Sequence, residues 1–196
     1  MAAPPGTNIR NLTGVWRMSK TLSDDMGPSL AIQGIPWIVR KAISWATITG
    51  NLTQSTDNAG NTTITVAQTA SGGIKGETEI YNLDEKEYKA GSAMFGVQRI
   101  RAGWVDLRVE KPLSLSGRPF DTYLSEGWIE EDDPNVAGHI TAYIVSEQAG
   151  WSVEQVWGFS IIDEKRYRVI RFIVRKGEES AASRVVYEWL GGDNTS

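Results

Sequence analysis

The sequence predicts an all-β fold of about ten antiparallel strands, closed into a barrel or folded as a sandwich, with two short helices near its start. Three observations carry this. Short runs rich in Val, Ile, Thr and aromatic residues alternate with period two along most of the chain. Gly, Asn and Asp punctuate those runs at short intervals. Residues 23–46 alone break the alternation and carry helix signals.

The elements follow in order. Residues 14–22 (GVWRMSKTL) read as the first strand. Ser23 is a candidate N-cap, with Asp24 and Asp25 in the first turn of a helix that Gly34 stops. Pro36 suits the first turn of the next, which places the two helices at about 24–33 and 35–44. Residues 46–54 and 61–70 are strands joined through DNAGN, and 74–82 meets 85–96 through a tight Leu-Asp turn. Residues 97–110 form a further strand, 111–121 a loop, 122–131 a strand and DDPNVAG a turn. Residues 139–148, 151–162, 166–176 and 183–190 close the chain as hairpins. Closure also removes exposed edges. No repeat or linker interrupts the pattern, so residues 1–196 read as one domain with loose tails at 1–9 and 191–196.

Composition narrows the chemistry. Apolar residues make up 40% and charged residues 22%, the balance of a globular protein. With no cysteine there is no disulfide, thiolate nucleophile or cysteine metal site. The single histidine, His139, cannot build a site of two or three imidazoles, and beside a turn it reads as surface. The acidic run Glu130–Asp133 before Pro134 reads as a turn rather than a metal site, so neither metal nor cofactor is expected. A net charge of −4 without a basic stripe argues against nucleic acid. The chain has no run of about 18 apolar residues and no apolar leader in MAAPPGTNIRN. The expectation is therefore no membrane span and a cytoplasmic location; a homo-oligomer is one option the sequence leaves open. Eight tryptophans suit either core packing or a pocket for a large apolar ligand.

Gly14-Val15-Trp16, preceded by Asn11-Leu12, resembles the G-x-W start of the calycins, the lipocalins and intracellular fatty-acid-binding proteins. Residues 33–42 (QGIPWIVRKA) are similar to the helix-turn-helix lid of the fatty-acid-binding branch, and Val186-Tyr187-Glu188 resembles its R-V-Y-E ending. SKTLSDD through RKAISWATIT also resembles a group of fungal lipocalin-like proteins, some of which are natural-product pericyclases, including hetero-Diels–Alderases. The resemblance covers about the first 90 residues well and the last 50 weakly, and the segment at about 97–138 is longer than the family's. It implies a calycin-type antiparallel β-barrel of about ten strands with a short helix-turn-helix lid after the first strand.

In the fatty-acid-binding proteins two inward arginines and a tyrosine hold a carboxylate. The resemblance places Phe159 and Val185 at the arginine positions and keeps Tyr187, which implies a neutral or weakly polar ligand. A one-residue slip would instead bring in Arg168 and Arg184. In the first register the inner face carries Gln155, Trp157, Phe159 and Ile161, then Arg168, Ile170, Phe172 and Val174, then Val185, Tyr187 and Trp189. Trp16 becomes a plug at the base, with Arg184 packed on it through a cation–π contact, and Trp37 and Ile38 face the cavity mouth.

The expected substrate-binding residues are Trp37, Ile38, Trp157, Phe159, Ile170, Phe172 and Val185; Tyr187, Gln155 and Arg168 are the expected catalytic donors. The resemblance implies a cofactor-independent pericyclase. It would bind hydrophobic small-molecule substrates, a polyene or terpenoid and a reactive heterodiene, and direct a stereoselective (hetero-)Diels–Alder cycloaddition in fungal secondary metabolism. A non-catalytic carrier of a lipid or terpenoid is the alternative. A hydrolase using His139 ranks last, because no G-x-S-x-G motif accompanies it.

Overall fold

A single antiparallel sheet organises the chain. The computed structural model describes residues 1–71, 74–130 and 138–192. The strands are β1 (Gly14–Met18), β2 (Ile48–Thr56), β3 (Thr62–Ala70), β4 (Ile74–Asn82), β5 (Tyr88–Ser92), β6 (Gly96–Val105), β7 (His139–Ser146), β8 (Trp151–Ile162), β9 (Lys165–Lys176) and β10 (Glu179–Gly191). Their spatial order is β4-β3-β2-β1-β10-β9-β8-β7-β6-β5, so the first strand pairs with the last. The result is a nearly closed ten-stranded barrel. At the seam between β4 and β5, side chains take the place of the ladder. Glu77 Oε1 accepts from the backbone N–H groups of Ala93 (2.6 Å) and Met94 (3.2 Å), and the Tyr88 hydroxyl donates to the Ile80 carbonyl.

The G-x-W start has a steric explanation. Gly14 has φ +141°, and a Cβ there would lie 2.1 Å from the Trp189 ring, so only glycine fits. Trp189 in turn packs edge-on against Trp16, with centroids 4.7 Å apart.

The two helices after β1 are α1 (Gly27–Ile32) and α2 (Trp37–Trp45). The first starts later than Ser23, because Ser23 and Asp24 are drawn to β10 instead. Ser23 Oγ accepts from Val186 N (2.9 Å) and Asp24 Oδ2 from Arg184 N (2.8 Å). That detour also ends β1 at Met18 rather than at residue 22. Residues 122–130, expected as most of a strand at 122–131, are not a strand; residue 131 lies outside the described residues. Asp121 Oδ1 accepts from Tyr123 N at 2.9 Å, which starts the short helix α3 (Thr122–Ser125). Residues 1–9, expected as a loose tail, are docked. Ile9 is fully buried, Ala3 N donates to the Arg166 carbonyl, and Trp189 N donates to the Met1 carbonyl, both at 2.8 Å. Of the tail predicted at 191–196, Gly191 ends β10, and residues 193–196 together with most of the DDPNVAG turn lie outside the described residues.

The segment between β6 and β7 wraps the outside of the barrel as a belt. Leu107, Phe120, Tyr123, Leu124 and Trp128 pack on Val156 and Ile173, which point outward from β8 and β9. Those two strands are consequently buried on both faces. No helix among the described residues is long and apolar enough to cross a membrane.

Candidate active site

The strand register decides which residues enter the barrel. Phe159 pairs with Arg168, Tyr187 with Arg168, and Val185 with Ile170, so these residues share the inner face. The base of the barrel is solid and apolar: Trp16, Leu52, Ile64, Ile140 and Phe159 are essentially unexposed. The Trp16 indole N–H donates to the Leu12 carbonyl at 2.9 Å, and the Arg166 guanidinium covers Phe159 at 3.7 Å.

Directly above that base sits Arg168. A barrel-end arginine is ordinarily solvated or ion-paired, but Arg168 is only 2% exposed. Its guanidinium carbon lies 4.4 Å from the Tyr187 ring centroid, 5.2 Å from Trp157 and 5.6 Å from Trp16. Arg168, not Arg184, is therefore the cation over Trp16; Arg184 faces outward and donates to the Leu22 carbonyl at 3.2 Å. No carboxylate among the described residues lies within ion-pair distance of Arg168, and its Nε has no hydrogen-bond partner. Burial lowers its pKa, although a guanidinium remains protonated in proteins. Three ring faces hold the charge in place of an anion.

β4 adds a second polar group that the sequence reading missed. Tyr81 is buried, packed edge-on against Trp157 at 4.8 Å, and its hydroxyl donates to Glu79 Oε2 at 3.1 Å. Desolvation raises the Glu79 pKa, the neighbouring Glu77 adds to the shift, and Arg168 opposes it. Gln68, from the neighbouring strand β3, also acts to lower the pKa of that carboxyl. The Gln155 side chain faces the Tyr81 phenol from β8, yet its Nε2 has no partner, and neither has the Trp157 indole N–H. A period-two count from Tyr81 places Glu79 on the same inner face, which is the signal that would have found it.

Above this polar layer the wall is aliphatic and aromatic: Ile144, Val153, Ile170, Phe172, Val174 and Val185. Phe172, Tyr187, Ile144 and Glu79 retain partial exposure although they share faces with core residues. Of the residues singled out in the sequence, Tyr187, Gln155, Arg168, Trp157, Ile170, Phe172 and Val185 form one contiguous wall across β8, β9 and β10. Phe159 belongs to the packed base instead. Trp37 and Ile38 lie on the exposed side of α2, at 62% and 68% exposure, and Val39 and Ile43 are that helix's part-buried apolar positions.

His139 is not surface. It is fully buried against Trp128, with ring centroids 5.5 Å apart, on the outer side of β7. Burial pushes its pKa down to about 4, so it is neutral and remote from the inner wall. Two outer hollows of about 340 and 380 Å³ flank the Ser114–Gly117 turn. The acid between them, Glu154, is already satisfied by Ser114, Ser116 and Arg175.

A nearly closed ten-stranded barrel with two helices after its first strand is the calycin architecture of the fatty-acid-binding type. Solved structures agree. A REP1-NXSQ fatty acid transporter matches with a TM-score of 0.50 at 10% identity, over 93% of this chain and 98% of its own. A Schistosoma mansoni fatty acid binding protein in complex with arachidonic acid matches with a TM-score of 0.50 at 12% identity, over 91% and 96%. At such identities the likeness concerns the fold alone. No family model matches the chain. Among curated proteins, Pericyclase pydY of an Acremonium species is 30% identical over 192 residues, covering 97% of this chain and 98% of the relative. Probable pericyclase scpY of Mollisia scopiformis is 28% identical over 191 residues, covering 97% and 95%. The chain belongs to this pericyclase family, and it is a pericyclase.

Proposed function

We propose that this pericyclase directs a stereoselective (hetero-)Diels–Alder cycloaddition between a hydrophobic polyene or terpenoid and a reactive heterodiene inside the barrel, in fungal secondary metabolism. The observation that supports the reading is Arg168: a buried cation beneath an apolar inner wall, with no carboxylate among the described residues within ion-pair distance. A cycloaddition forms its new σ bonds from π electrons of the partners and leaves no proton or electron with the protein. The protein's tasks are to hold the partners in a near-attack pose and to polarise a carbonyl.

Orientation supplies about 7–11 kcal/mol in the best intramolecular cases. A preorganised donor in a water-excluded site supplies about 3–4 kcal/mol more. Trp157, Ile170, Phe172 and Val185 suit the first task. Arg168, with Gln155 and Tyr187 beside it, suits the second. A substrate carbonyl oxygen that accepts from Arg168 satisfies a donor that otherwise lacks a partner.

The test is turnover. The purified chain is incubated with a polyene and a heterodiene generated in situ, and product is analysed by chiral chromatography. Many turnovers of one stereoisomer are expected, with yield or selectivity degraded in Trp157→Ala while its circular dichroism is retained. Stoichiometric binding without turnover would mark a carrier of a lipid or terpenoid.

A further inference from the structure

Glu79 stands on the opposite face of its strand from the one packing alone would choose. β4 places Glu79 and Tyr81 inside, while Ile80, between them, is 48% exposed on the outside. In register Glu79 faces Val66, a core residue at 8% exposure. A carboxyl inside and an isoleucine outside is the reverse of what stabilises a half-buried strand. Such inversions are retained where an inward polar group has a task. Tyr81 occupies one of the carboxyl's acceptor positions. A carboxylate offers about four, so capacity remains for another donor. The interior therefore has two poles, a guanidinium whose Nε lacks an acceptor and a carboxyl that can take a further donor.

We infer that Glu79 is a specificity-determining residue, receiving an N–H or O–H of the substrate while Arg168 takes an adjacent carbonyl oxygen. The substrate class is then a polyene whose polar end combines a carbonyl with a hydrogen-bond donor, as in an amide, a lactam or a hydroxy-enone. The inference rests on the cycloaddition reading for the word substrate, but binding alone tests it. A ligand that lacks the donor leaves the carboxyl under-satisfied, and sites built to bond a polar group reject analogues without it.

The probes are three derivatives of one fluorescent tetraene, cis-parinaric acid: its primary amide, its N,N-dimethylamide and its methyl ester. All keep the carbonyl, and only the first has N–H. Affinities are read by fluorescence titration of the intact chain. The primary amide is expected to bind about tenfold tighter than the other two, the fold-change of one charge-assisted hydrogen bond of modest strength. Glu79→Leu should shrink that preference to less than about twofold with ester binding unchanged, and Glu79→Gln, which keeps an acceptor oxygen, should retain most of it. Equal affinities of the three probes for the wild-type chain, or a full preference surviving in Glu79→Leu, overturn the inference and leave the cycloaddition reading standing. The wild-type comparison decides alone if Glu79→Leu does not fold. Binding of none of the three overturns both.

Discussion

Among the four arginines of β9, inward Arg168 and outward Arg171 are treated in opposite ways. Outward, Arg171 is fully employed. Its Nη1 donates to the Tyr123 and Glu126 carbonyls and its Nη2 to Gly127 (3.1 Å), and its guanidinium lies 4.3 Å over Trp128. It fastens the end of α3 and the belt to the barrel. Inward, three residues earlier, Arg168 has ring faces around it and no ion pair among the described residues. The pattern extends along β8, where outward Glu154 binds Ser114, Ser116 and Arg175 while inward Gln155 keeps an unpartnered Nε2. On the inner face the chain leaves Arg168 Nε and Gln155 Nε2 without a hydrogen-bond partner.

That contrast is broken most sharply by replacing each arginine with an apolar residue. Arg168→Met is expected to lower the cycloaddition rate by about 10²–10³-fold, the effect of deleting a preorganised transition-state donor. The same change is expected to hold or raise the melting temperature, because an unpaired buried cation gives way to a side chain the pocket prefers. Rate assays and thermal melts on one preparation check both halves. A large loss of stability with an unchanged rate would make Arg168 structural.

The second largest effect lies on the outer side. His139 has a folded pKa of about 4 against an ordinary value of 6.5. Because the folded value is depressed, its contribution is fully present above pH 6.5 and is lost as pH falls towards 4. At about 1.4 kcal/mol per pKa unit the loss amounts to about 3 kcal/mol. In urea melts of the wild-type chain and His139→Leu, repeated across that range, the wild type should lose stability relative to the variant as pH falls. Parallel curves would show that His139 does not titrate with unfolding. The belt, not the pocket, is then where acid first loosens the protein.

How much of this could be read from residues alone divides along the same line. The inner faces of β8, β9 and β10 were legible, because strict period-two alternation in long strands fixes the register. The short strand β1 and its glycine were legible through Gly14-Val15-Trp16. The belt was not. Its residues 122–125 look strand-like, and only Asp121 capping Tyr123 turns them into a helix. His139 was misplaced because burial on the outer side of a barrel depends on a distant segment, Trp128 above all, which no local pattern announces. Glu79 was missed for the opposite reason: a charged residue in a strand is conventionally assigned to solvent, and its inward position inverts that rule. The exposed position of Trp37 and Ile38 follows from how α2 is set after Gly34, whose φ is +84°, and Pro36, a geometry that apolar composition does not encode.

The smallest expected effect completes the pair of arginines. Arg171→Met leaves Trp128 covered by a flexible apolar chain but removes the donors to three carbonyls. Those carbonyls are partly reachable by water, so the loss falls well short of three buried hydrogen bonds, at about 1–2 kcal/mol of stability. The cycloaddition rate should not change, because the belt touches β8 and β9 only from outside. Hydrogen exchange should locate the effect: amides of Leu124 and Ser125, which donate to the Asp121 carbonyl, lose protection while those of the β8–β9 ladder keep theirs. If protection fell equally in the ladder, or the rate fell with it, the two faces of these strands would be coupled, and the division of labour between Arg168 and Arg171 would not hold.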